Sequence, residues 1–139
     1  GNWHTTTMIS SLRLDGSTAC MVVDGATDKD VFGIYVQHSL LPTLKAGDSV
    51  VLDNLSTHKH AGAIAMIESV GATTWFLPPY SPDFNPIEKM WSKVKQFLRS
   101  VKARTIDALI KAIADALETV STRDAAAWFM SCGYQSTIC

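Results

Sequence analysis

The chain has 139 residues, 47% hydrophobic and 18% charged, with a formal net charge of −1. That length suits one domain with a real core, and the charge argues against a protein that binds nucleic acid over its whole surface. No apolar run approaches the ~20 residues of a membrane helix, no basic-then-apolar leader is evident, and Cys20, Cys132 and Cys139 lack zinc-like spacing, so reduced thiols in a cytosolic setting are expected.

Taken in order, Thr5 to Leu14 and Ala19 to Val23 read as an antiparallel hairpin turning at Asp15 to Ser17. Asp24-Gly25 ends the second strand. Thr27 or Asp28 caps a helix carrying Val31, Phe32, Tyr35, Val36, Leu40 and Leu41, with Pro42 near its end. Val50-Val51-Leu52 reads as a buried strand that stops on Asp53-Asn54. A helix over about Ala61 to Val70 stops at Gly71, and Thr73 to Leu77 is the last strand, ended by Pro78-Pro79.

From Pro86 the pattern is helical, with Ile87, Met90, Trp91, Val94, Leu98 and Val101 on one face. Thr105 caps a helix whose stripe is Ile106, Leu109, Ile110, Ile113, Leu117 and Val120. Ser121 and Asp124 form a capping box for a short helix that ends at Gly133. The tail from Tyr134 has no period and is expected to be loose, so residues 1–134 are taken as the core and 135–139 as the tail. Strands, then alternating strand and helix, then helices describe an α/β domain with a mixed sheet.

The chemistry concentrates between Val50 and Trp91. Asp53 stands at the carboxyl end of a strand, where open α/β sheets build their sites. Glu88 stands in the first turn of a helix, with 34 residues between the two acids. Carboxylates delivered by two rigid elements suit a hard divalent cation. Taken alone, each acid also has a plain structural reading, a turn for Asp53 and a dipole-offsetting first turn for Glu88. Six of the twelve Lys and Arg lie from Lys89 to Arg104, a window without Asp or Glu. Lys95, Arg99 and Lys102 follow Glu88 by seven, eleven and fourteen residues, within about 40° of its direction at ~100° per residue. A line of positive charge leading from a metal site suits a DNA backbone.

Val51-Leu52-Asp53-Asn54 with His58, then Leu77-Pro78-Pro79-Tyr80-Ser81-Pro82-Asp83-Phe84-Asn85-Pro86-Ile87-Glu88 with Trp91, resembles the mariner superfamily of DDE transposases, and most closely its bacterial insertion-sequence branch. The likeness runs from about Trp3 to Tyr134. It implies an RNase H-like mixed sheet flanked by helices and a trio of acids, of which Asp53 matches the second and Glu88 the third. It further implies two Mg²⁺ or Mn²⁺ ions held by those acids, cutting and joining of DNA strands by phosphoryl transfer, and DNA partners at transposon ends and target. A homodimer working in the bacterial cytosol at the nucleoid, and not in a membrane, also follows from the resemblance. Asn54, His58 and Asn85 are the supporting residues expected around the acids. The family's first strand and first Asp lie upstream of the Thr5 region, so the resemblance assigns Asp24, which ends a strand as Asp53 does and could be offered as the first acid, to a turn; the sequence also opens without Met in a strand-like segment. A catalytic-core fragment lacking that strand and acid, inactive by itself, is therefore expected. Two alternatives stay open: a non-catalytic DNA- or subunit-binding remnant, and an RNase H-like nuclease that hydrolyses without joining.

Overall fold

The computed structural model describes residues 6–25, 28–53, 60–78 and 84–134. The chain divides into two compact units, one drawn from residues 1–11 and 19–81, the other from residues 12–18 and 82–139. No helix among the described residues is long and apolar enough to cross a membrane.

In the first unit, β1 (Thr6–Leu12) and β2 (Thr18–Asp24) pair as the expected hairpin. Thr7 Oγ1 donates to the Gly25 carbonyl at 2.6 Å beside the exposed Asp24, and Gly25 has φ +104, so Asp24 does lead into a turn. Asp28 caps α1 (Lys29–Tyr35) by accepting from Val31 N–H at 2.9 Å. The helix then widens into a π turn over Val36–Leu40 and tightens over Leu41–Thr43, where Pro42 ends it. Phe32, Tyr35, Val36 and Leu40 are buried there with Ala63, Ile67 and Ala72. The Tyr35 hydroxyl donates to the Ala19 carbonyl at 2.7 Å, tying helix to hairpin, and burial pushes its pKa up to about 12.

β3 (Ser49–Leu52) and β4 (Thr73–Phe76) run parallel in the register Val51↔Trp75, with α2 (Ala61–Ser69) in the crossover. Two expectations are corrected here. Among the described residues the hairpin and the parallel pair are separate two-stranded sheets rather than one mixed sheet. Nor is β3 a buried strand. Val50 and Leu52 pack on the core, whereas Val51 and its partner Trp75 are 40% and 58% exposed, because core residues of this unit cover one face of the pair only.

The second unit is helical: α3 (Pro86–Val101), α4 (Ile106–Glu118) and α5 (Thr122–Ser131). α3 packs on α4 and α5, and Met90, Val94, Ala112, Ile113, Ala116, Val120, Ala125 and Cys132 are buried. The stripe expected for α4 is thus rotated. Ala112 and Ala116 are inside, while Ile106 and Ile110 are exposed. Small residues on that side suit close helix approach, which two isoleucines would prevent. Thr105 caps α4 through Ala108 N–H, and Ser121 with Asp124 makes the expected capping box.

Asp124 has a second role. It accepts from Lys93 Nζ at 2.6 Å while Lys93 also donates to the Thr119 carbonyl at 2.9 Å, so one lysine of α3 ties down the α4–α5 junction. The Lys93 bond holds the Asp124 carboxyl below its usual range. The hairpin tip belongs to this unit: Thr122 Oγ1 donates to the Asp15 carbonyl at 2.7 Å. Asp15 itself accepts from the backbone and hydroxyl of Ser17 at 2.9 and 2.6 Å, closing the turn and lowering its pKa.

Candidate active site

Asp53 directly follows β3. The ladder continues to that point, since Leu77 N–H donates to the Leu52 carbonyl at 2.7 Å. This fixes the backbone that presents Asp53, whose residue is half-buried at the carboxyl end of a parallel pair. Asn54 and His58 lie outside the described residues. Beyond them stands a residue the sequence reading missed. His60 caps α2, its Nδ1 accepting from Ala63 N–H at 2.9 Å, and its ring lies where a Cβ built on Gly62 would meet it at 2.8 Å and one built on Gly33 of α1 at 3.8 Å. Histidine caps a helix only in the tautomer that leaves Nδ1 unprotonated, so residue type alone carries little signal for it.

Glu88 is exposed in the first turn of α3. Asn85 is the helix cap: its Oδ1 accepts from Ile87 N–H at 3.2 Å, and its carbonyl accepts from Glu88 N–H at 3.1 Å. Pro86 follows at the first helical position, where its missing N–H is harmless and its φ is already helical. Cap and proline together determine where the helix begins and hence where Glu88 emerges.

Of the basic residues, Lys95 and Arg99 are exposed on α3 with Glu88, while the buried Met90 and Val94 occupy the opposite side. Arg99 sits in the last turn, favourably placed against the helix dipole. Lys102 departs from the projection. It is exposed, but it closes the helix in a left-handed conformation, φ 54 and ψ 51, donating its N–H to the Leu98 carbonyl at 3.2 Å. Its side chain therefore does not continue the helical line. Glycine adopts this backbone without the Cβ penalty of about 1 kcal/mol. Lys102→Gly is accordingly expected to raise thermal stability by about 0.5–1 kcal/mol while removing a positive charge, which paired melting and DNA-binding measurements would register as opposite changes.

Asp53 and Glu88 belong to different units, and each is placed by its own local structure. Each carboxylate offers the hard oxygen donors that Mg²⁺ or Mn²⁺ takes. Among the described residues no group of three or more His, Cys, Asp or Glu gathers at one point.

With a parallel pair ending on an acid and a capped helix opening on another, comparison with known families becomes informative. A family model described as DDE superfamily endonuclease matches residues 1–110. The chain belongs to that family. No curated protein matches it. The family acts on DNA, and members of it typically use divalent metal ions.

Proposed function

We propose that this chain carries the catalytic core of a DNA transposase of the mariner superfamily, on its bacterial insertion-sequence branch, with an RNase H-like fold over residues 1–134. The observation that carries the reading is the family match over residues 1–110, which contains both Asp53 at the end of β3 and Glu88 in the first turn of α3. Asp53 and Glu88 would hold Mg²⁺ or Mn²⁺, and such an ion would supply activation of the attacking oxygen and stabilisation of the departing one in strand cutting and joining. Asn85 fixes the start of α3 so that Glu88 is presented, and Asn54 and His58 support Asp53 from the following segment. Lys95 and Arg99 along α3, with Lys102 off that line at the helix end, meet the phosphate backbone and place the DNA without reading its sequence.

In this reading Asp53 and Glu88 match two of the family's three acids, and the 139 residues alone neither cut nor join DNA. The working enzyme is a homodimer on paired transposon ends, acting in the bacterial cytosol at the nucleoid.

The test is duplex binding by gel shift across a salt series. Each phosphate contact contributes roughly 0.9 to the slope of log affinity against log salt. Lys95→Ala and Arg99→Ala are each expected to weaken binding and to flatten that slope by about one contact. Binding that is insensitive to salt and to both substitutions would refute the DNA-facing role of α3. A strand-joining assay with an enzyme bearing all three acids separates a transposase from a nuclease that only hydrolyses.

A further inference from the structure

The end of α5 is a Schellman motif. Gly133, at φ +93, donates to the Met130 carbonyl at 3.0 Å, and Tyr134 N–H donates to the Phe129 carbonyl at 2.9 Å. In this motif the residue after the glycine turns back onto the last helical turn and makes an apolar contact there. Tyr134 does so edge-on against Phe129, with ring centroids 5.7 Å apart. The residue expected to begin a loose tail is thus held by its own backbone bond and a ring contact, next to a glycine that is itself bonded to the helix.

That geometry gives the Tyr134 hydroxyl a fixed direction, and it donates to the Phe84 carbonyl at 2.7 Å across fifty residues of chain. Phe84 directly precedes the Asn85 cap of α3, four residues before Glu88. Its own ring is half-exposed, so side-chain burial contributes little to holding this turn. The Tyr134 hydroxyl is a donor at neutral pH as any tyrosine is, and burial raises its pKa further.

We infer that Tyr134 is a positioning residue for Glu88: through the Phe84 carbonyl it pins the turn that launches α3 and thereby holds the Glu88 carboxylate where it meets the cation. Tyr134 lies beyond the residues that match the family model. The inference rests on the proposed role of Glu88 as a metal ligand. It follows from a simple mechanical point. A cap fixes the helix to its preceding residue, but something must fix that residue to the rest of the unit. The hydroxyl of Tyr134 supplies that attachment from α5, which itself packs on α3.

The experiment uses the whole chain, with Mn²⁺ alone as probe, followed by the electron paramagnetic resonance signal of free ion. Amide exchange is measured on the same proteins. Outer partners of metal ligands typically contribute tenfold or more to affinity, and a more remote residue should contribute about three- to tenfold. Tyr134→Phe keeps the ring on Phe129 and deletes only the hydroxyl. It is expected to weaken Mn²⁺ binding by that factor and to speed exchange at Ile87 and Glu88, with α4 and α5 exchanging as before. Glu88→Gln should weaken Mn²⁺ binding further still. If Glu88→Gln weakens binding and Tyr134→Phe does not, the positioning role is overturned and the Glu88 reading stands. If Glu88→Gln leaves binding unchanged, the metal-ligand reading falls and takes this inference with it. Exchange that quickens uniformly through α3, α4 and α5 in Tyr134→Phe would reduce the hydroxyl to a general stabilising contact and also overturn the inference.

Discussion

Asp53→Asn and Glu88→Gln are each expected to lower Mn²⁺ affinity by roughly thirtyfold. The amides match the acids in shape, so the loss reports charge. A unit charge pair at ~4 Å in bulk water is worth about 1 kcal/mol, and twice that for a dication, which corresponds to roughly thirtyfold in affinity. Bulk-water screening is the appropriate limit because Glu88 is exposed and Asp53 only half-buried. Change confined to one substitution would mean that the two acids do not serve a common site. In the proposed reading, where Asp53 and Glu88 match two of three acids, the 139 residues are expected to leave supercoiled plasmid uncut in Mg²⁺ or Mn²⁺. Cleavage that disappeared on Asp53→Asn would show that another acid completes the set, Asp24 being the first suspect.

The other large effect concerns Gly16 at the hairpin tip. Its φ is +91, and a Cβ built there would lie 2.9 Å from the backbone carbon and oxygen of Ser121. Neither obstacle is a flexible side-chain end that could swing aside. Left-handed strain contributes about 1 kcal/mol, and forcing two backbones apart contributes a further ~1–3 kcal/mol. Gly16→Ala should therefore lose about 2–4 kcal/mol. Gly133 offers the control within the same unit. At φ +93 with nothing within 4 Å of a built Cβ, Gly133→Ala should lose only the ~1 kcal/mol of strain. Urea unfolding of the two variants separates the contributions. Equal losses would mean that the tip does not sit against Ser121 in solution.

What could be read from sequence follows the range over which each signal acts. Asp28, Thr105 and the Ser121–Asp124 box are caps, made by chemistry within three residues, and all were legible. So was the Asp15–Ser17 turn. Asp53 showed itself as an acid closing an apolar run, and Glu88 as an acid just after a proline that opens a helix. The misreadings arise where distant packing decides. On α4 the period admits two adjacent faces, and the more hydrophobic one, Ile106 and Ile110, is outside because alanines allow closer approach. On β3 an apolar run looks the same whether one face or both are covered. Lys93 drew no reading of its own among the six basic residues from Lys89 to Arg104, because its partner Asp124 is thirty-one residues away. Lys102 was projected along a helix that has already ended there. Tyr134 follows a helix stop without periodicity, so nothing local marks its bond to Phe84.

The Lys93–Asp124 pair also bears on where this protein can be divided. The residues that match the family stop at 110, inside the second turn of α4. A version trimmed at that boundary would sever a helix and discard Ile113, Ala116, Val120 and Ala125 from the interior of the second unit. It would leave the Lys93 ammonium without either acceptor and the Asp15 carbonyl without Thr122. The part that resembles other proteins and the part that can fold are therefore not the same length. Any shortened version for expression or crystallisation should keep α5 through Tyr134.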